Sequence, residues 1–239
     1  HYWQRLDSSG AIVYSQSGWY DADYACGAIH RFRTLSNPRN KLILGPWSHG
    51  GLYSSSPANS GATMFDNDAL RLQFFDAVFK GKQTGFDKEK PVHYFTMVEE
   101  KWKSAERWPP ESESVNWYFS AHAKLSKSRP TDSIGEDRHT FDYTHSTGKR
   151  SRWESLVGAG IVMYERRASE DRKLLVHNSE PLEEDIEVTG HPIVELYVSS
   201  SDTDGAFFVY LEDMHSEDSV VMVAEGVLRA IHRKVSTEK

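Results

Sequence analysis

Two short apolar runs, Ala11-Ile12-Val13-Tyr14 leading to Gly18 and Lys41-Leu42-Ile43-Leu44 leading to Gly45-Pro46, flank a stretch with helical spacing, and that pattern constrains the fold most. Runs this short and rich in aliphatic and β-branched residues read as buried strands that empty into loops. Between Asp23 and Leu35 the apolar residues Ala25, Ala28, Ile29 and Phe32 recur at helical intervals, and Asn37-Pro38 supplies the stop. A strand, a helix and a second strand within about thirty residues form the unit of a parallel sheet, because a crossover must return the chain to the same edge. Chemistry in such sheets gathers at the carboxyl ends of the strands. Asp21 and His49 stand just past those two ends.

The remainder changes character along its length. Residues 50–63 are rich in Gly, Ser, Pro and Asn and read as an irregular loop. A helix is predicted over Asn67 to Lys80, with Leu70, Phe74, Ala77 and Val78 on one apolar face and Gly81 as its stop. After the polar linker 82–90, helical spacing largely disappears. Pro91 to Val98, Asn116 to Ser120, Ile193 to Ser199, Phe207 to Leu211 and Val220 to Ala224 are strand-like runs between turn residues, which argues for a β-sandwich or jelly roll. Residues 126–160 read as loop with scattered strand.

Composition excludes several classes of function. Among 239 residues, 38% are hydrophobic, enough for a packed core. The formal charge is −7 and no block of Lys and Arg occurs, so nucleic acid is not an expected partner. No stretch approaches the roughly 20 apolar residues that span a bilayer, so no membrane is expected either. The single cysteine, Cys26, excludes an intrachain disulfide, leans the reading toward a cytoplasmic location, and is expected to be buried on its helix. Asp202-Thr203-Asp204-Gly205 lacks the ligand positions of a calcium loop and reads as a turn. His30, His93 and His191 show no metal-ligand spacing and are expected at the surface or satisfied in the core. Trp102, Trp108 and Trp117 either form a sugar-stacking platform or pack a domain junction.

Asp21 and His49 fit the last two places of the order nucleophile, acid, histidine that a Ser–His–Asp triad follows in an α/β-hydrolase. The Gly-x-Ser-x-Gly turn that carries the nucleophile is absent from the chain, and only twenty residues precede Asp21. Ser48 lacks a glycine elbow, and adjacent residues of an extended loop point apart, so it is not the expected nucleophile. The structural alternative is that both residues make local hydrogen bonds at strand ends, with Asp21 capping the next helix.

Five motifs in order settle the comparison. Gly18-Trp19-Tyr20-Asp21, Gly45-Pro46-Trp47-Ser48-His49, Phe74 to Gly81, Trp102 with Arg107-Trp108-Pro109-Pro110, and Glu187 to Gly190 followed by Val198-Ser199-Ser200 and Asp202-Thr203-Asp204 together resemble the cocaine esterase/NonD hydrolases. That group includes α-amino-acid ester hydrolases, glutaryl acylases and X-prolyl dipeptidyl-peptidases. The resemblance implies a fold that is α/β plus β: the C-terminal part of an α/β-hydrolase sheet over residues 1–90, then a jelly-roll β-sandwich over 91–239, truncated at its C-terminus. It implies a serine hydrolase acting on a small-molecule ester or amide, without metal or cofactor. Asp21 is then the triad acid and His49 the base, while the serine, the oxyanion donors and the cap lie outside the chain, which alone is expected to be inactive. In the amino-acid ester hydrolases, carboxylates two and three positions after the acid bind the substrate ammonium, and cocaine esterases carry an aromatic residue at the first of these. Here the positions hold Asp23 and Tyr24. The rival reading is a non-catalytic β-sandwich binding module, for carbohydrate or protein, attached to a hydrolase remnant. Sheet edges left open by truncation imply a homo-oligomer or exchanged strands.

Overall fold

The structure, a computed structural model, describes residues 2–51, 53–58, 66–131, 135–154 and 160–234. A short helix α1 (Tyr2–Ser8) leads into β1 (Tyr14–Gly18), and the crossover helix α2 (Tyr24–Thr34) returns the chain to β2 (Lys41–Gly45). The two strands are parallel and in register from Tyr14 opposite Lys41 to Gly18 opposite Gly45. Helix α3 (Asn67–Lys80) and a single 3₁₀ turn then lead to β3 (Val92–Thr96), which adds parallel to β2, and β4 (Lys101–Ala105) closes the sheet antiparallel. The order is β1-β2-β3-β4.

Alternation along each strand assigns its two faces. Leu42, Leu44, Val92 and Tyr94 meet Ala25, Ala28 and Ile29 of α2, with Trp108 completing the core. On the other face Tyr14 packs its ring against Phe74 of α3, and Gln16 bonds to Asn67. Asp66 caps α3 by accepting from the Ala69 amide at 2.9 Å. Gly81 ends it in the left-handed conformation, where a residue without Cβ fits.

The C-terminal region carries two hairpins, β5 (Tyr118–Ser120) with β6 (Lys124–Ser126) and β7 (Ala206–Ser216) with β8 (Ser219–Arg229). Behind the second hairpin the short helix α4 (Arg167–Asp171) buries the Arg167 guanidinium, which bonds Asp171 at 2.8 Å and Glu212 at 2.5 Å and lies over the Tyr210 ring. Ile193 to Ser199, expected to be a strand, pairs with no strand among the described residues, and Ile193 and Tyr197 are 89% and 95% exposed. Its apolar run is real, but a strand exists only where a neighbour supplies the ladder. Conversely β4 forms from a weakly apolar sequence because β3 offers it an antiparallel edge.

Candidate active site

Strand pairing continues beyond the ends of β1 and β2 into both loops. The Trp19 amide donates to the Gly45 carbonyl at 2.9 Å and the Tyr20 amide to the Trp47 carbonyl at 3.0 Å. Such proximity demands glycine at the strand ends. A Cβ on Gly18 would stand 2.0 Å from the Trp47 carbonyl oxygen, and one on Gly45 would stand 2.4 Å from the Trp47 indole. The chain then turns sharply: the Asp21 amide bonds back to the Gly18 carbonyl, Ala22 is held at φ 42°, and the Tyr24 amide bonds the Asp21 carbonyl as α2 begins. A buried non-glycine residue at positive φ is strained and persists only where its surroundings enforce it.

Out of these two loops the side chains of Asp21 and His49 meet. Asp21 Oδ1 lies 2.9 Å from His49 Nδ1, across 28 positions of sequence. A carboxylate accepts, so Nδ1 carries the proton and Nε2 is left as the basic nitrogen. Asp21 is largely covered, with 13% of its side chain exposed, whereas His49 is open at 46%. Among the described residues, none bonds to Nε2. The Tyr24 ring stands beside the imidazole, its centre 5.8 Å from that of His49.

Asp23 does not join that group. It is exposed at the start of α2, and its carboxylate makes no cap bond to the helix. It neighbours Cys26, whose thiol is held above its ordinary range by desolvation and by that carboxylate. Cys26 itself is exposed rather than buried: it lies on the face of α2 turned away from Ala25, Ala28 and Ile29.

The loops are gripped from behind by residues remote in sequence. Buried Ser48 donates its hydroxyl to the Gly160 carbonyl at 2.5 Å, and the Tyr20 hydroxyl donates to the Met222 carbonyl at 3.3 Å. The Ser55 amide bonds the Pro46 carbonyl, and Ser55 Oγ accepts from the Val162 amide at 3.0 Å. Tyr164 lies against Tyr20 and donates to Glu225 at 2.5 Å, and Arg152 pairs with Glu225 at 2.8 Å. The contacts to Gly160, Val162 and Met222 were not foreseeable from spacing, since no periodic signal links a residue to a partner more than a hundred positions away.

Other candidates resolve into structure. Trp108 is buried against Trp19 and Tyr94, and Trp102 leans on Trp47 and Phe95, so the tryptophans do not share one exposed platform. Asp204 bonds the Gly205 amide and Arg229, as a turn residue does. Among the described residues no group of three His, Cys, Asp or Glu could hold a metal, and no helix is long and apolar enough to cross a membrane.

A mixed sheet with crossover helices, an acid and an imidazole meeting at adjacent strand tips, and β-hairpins behind them define a class: an α/β unit joined to a C-terminal β region. The chain belongs to the X-Pro dipeptidyl-peptidase-like family, which includes the cocaine esterases, and represents its C-terminal portion. Residues 1–51 match the X-Pro dipeptidyl-peptidase of the S15 family, and residues 84–239 match the X-Pro dipeptidyl-peptidase C-terminal non-catalytic domain. Proteins provisionally named serine esterases in Mycobacterium bovis and Mycobacterium tuberculosis are each 47% identical over 238 residues, covering 99% of this chain and 38% of theirs. The cocaine esterase of a Rhodococcus strain is 23% identical over 247 residues, covering 97% of this chain and 43% of its own length. The chain thus spans well under half the length of these curated relatives.

Proposed function

We propose that this chain supplies the acid and the histidine of a Ser–His–Asp triad in a serine hydrolase that cleaves an ester or amide, the serine lying outside the chain. The contact between Asp21 and His49 Nδ1, with Nε2 open, carries the reading. Nε2 takes the proton of the attacking hydroxyl and returns it to the leaving group, while Asp21 fixes the tautomer and stabilises the imidazolium. The relatives' names support a hydrolase. In this reading residues 1–90 complete the α/β-hydrolase sheet, residues 91–239 form a jelly-roll type of domain, and β3 and β4 bridge the two.

The test uses the longer protein in which a nucleophile precedes this chain. Asp21→Asn and His49→Ala are each expected to lower kcat for p-nitrophenyl esters by about 10⁴-fold, while residues 1–239 alone hydrolyse none above a heat-treated control. Robust turnover by the isolated chain would sink the assignment.

Asp23 is proposed to set substrate charge. Exposed and free of a capping role at the head of α2, and next in sequence to Tyr24, whose ring stands beside the imidazole, it favours a cationic group near the scissile carbonyl. Asp23→Asn is expected to lower the rate on amino-acid esters relative to neutral esters. An unchanged ratio rejects the idea.

A further inference from the structure

The residues immediately before the acid and the histidine share one arrangement. Tyr20 precedes Asp21 and Ser48 precedes His49, and both precursors are buried with their hydroxyls on backbone carbonyls of the C-terminal region, Met222 and Gly160. Tyr20 lies within the turn that the Asp21 amide closes on the Gly18 carbonyl, and Ser48 opens the turn that the Gly51 amide closes on its own carbonyl. Fixing each precursor by its hydroxyl therefore fixes the turn from which the next side chain projects, and the two side chains so placed meet. The carbonyls are themselves braced. Gly160 is followed by Val162, whose amide is tied to Ser55 of the histidine loop, and Tyr164 packs on Tyr20 while bonding Glu225 three residues beyond Met222. Burial pushes the Tyr20 hydroxyl up to about 12, so it stays protonated and donates throughout the working range.

We propose that Tyr20 and Ser48 are positioning residues through which the C-terminal region, in a family where it is described as non-catalytic, sets the Asp21–His49 pair. The inference rests on reading that pair as acid and base. It assigns the β region a part in catalysis: the backbone carbonyls at 160 and 222 are the fixed points against which the proton relay is aligned.

The experiment uses residues 1–239 with ¹⁵N-labelled histidine and reads the His49 tautomer and the exchange of its Nδ1 proton by NMR at mildly alkaline pH. The parent chain is expected to hold His49 as the Nδ1–H tautomer with a downfield, slowly exchanging proton. Tyr20→Phe with Ser48→Ala, which removes two hydroxyls and nothing else, is expected to mix the tautomers and to raise proton exchange about tenfold, the size of a lost hydrogen bond or two. The single variants give the same readout with smaller changes if the double variant does not fold. Asn40→Ala, which removes the bond to the Val13 amide at the opposite ends of the same strands, lowers stability and is expected to leave the His49 signals alone. Parent-like tautomer and exchange in the hydroxyl variants, with Asp21→Asn altering both, overturn this inference alone. If Asp21→Asn also changes nothing, the acid–base reading falls and takes the inference with it.

Discussion

At Gly18 the backbones approach so closely that only hydrogen fits, because a methyl group would occupy the space of the Trp47 carbonyl oxygen. Neither partner is the end of a flexible side chain, so the loops themselves would have to separate. Gly18→Ala is expected to cost about 2–3 kcal/mol in urea unfolding, at the high end for overpacking, and to weaken the bond between Asp21 and His49. A stability within about 0.5 kcal/mol of the parent contradicts this account. The placing of Asp21 and His49 at neighbouring strand tips was legible in the sequence because two glycine-terminated runs announce strand ends. Tyr20 and Ser48 were not, since their hydroxyls find partners 202 and 112 positions away. Exposed Cys26 was misread because helical spacing marks which residues share a face, and the inward face of α2 is already filled by alanine and isoleucine.

Helices α2 and α3 and strand β2 follow from periodicity and stop signals, with boundaries within about one residue, whereas β1 begins at Tyr14, three residues after the start expected at Ala11. Strand β4 does not, because Lys101-Trp102-Lys103 has little apolar content and takes its form from β3. The stretch around Ile193 shows the reverse failure, a strand pattern without a partner strand among the described residues. Just before it Lys103 of β4 pairs with Glu187, and at its start the Trp108 indole N–H donates to His191 Nε2 at 3.0 Å. Protonating that nitrogen would set two donors face to face. Burial, with a smaller push from Arg33, accordingly holds His191 below its ordinary 6.5. A lowered folded value means that the unfolded chain binds the proton more tightly, so this stabilisation is complete above about 6.5 and shrinks as pH falls through and below it. Denaturant midpoints are expected to drop between pH 7.5 and 5.5. In His191→Gln, whose amide oxygen accepts without titrating, the drop is expected to be smaller, and an identical pH slope rejects the assignment.

On the scale of the whole molecule, apolar surface is left uncovered along one stretch of the chain, on the last hairpin and just past it, at Ile193, Tyr197, Phe208, Val227 and Ile231. Exposed apolar strands with open edges invite pairing with another copy. We expect light scattering to show residues 1–239 self-associating as concentration rises, and Ile193→Lys with Tyr197→Lys to reduce it; a parent chain that stays monomeric at high concentration removes the expectation. The change in spacing near residue 90 marks where the long helices give way to strands, but the boundary expected there falls inside the first sheet, which runs on through β3 and β4; pairing across a long connection leaves no local trace. The Ser48 hydroxyl, meanwhile, donates its hydrogen bond to a peptide carbonyl and is buried. A phosphonate warhead needs an accessible oxygen with a proton that can be lifted, so Ser48 itself is expected to escape such a reagent although it adjoins His49.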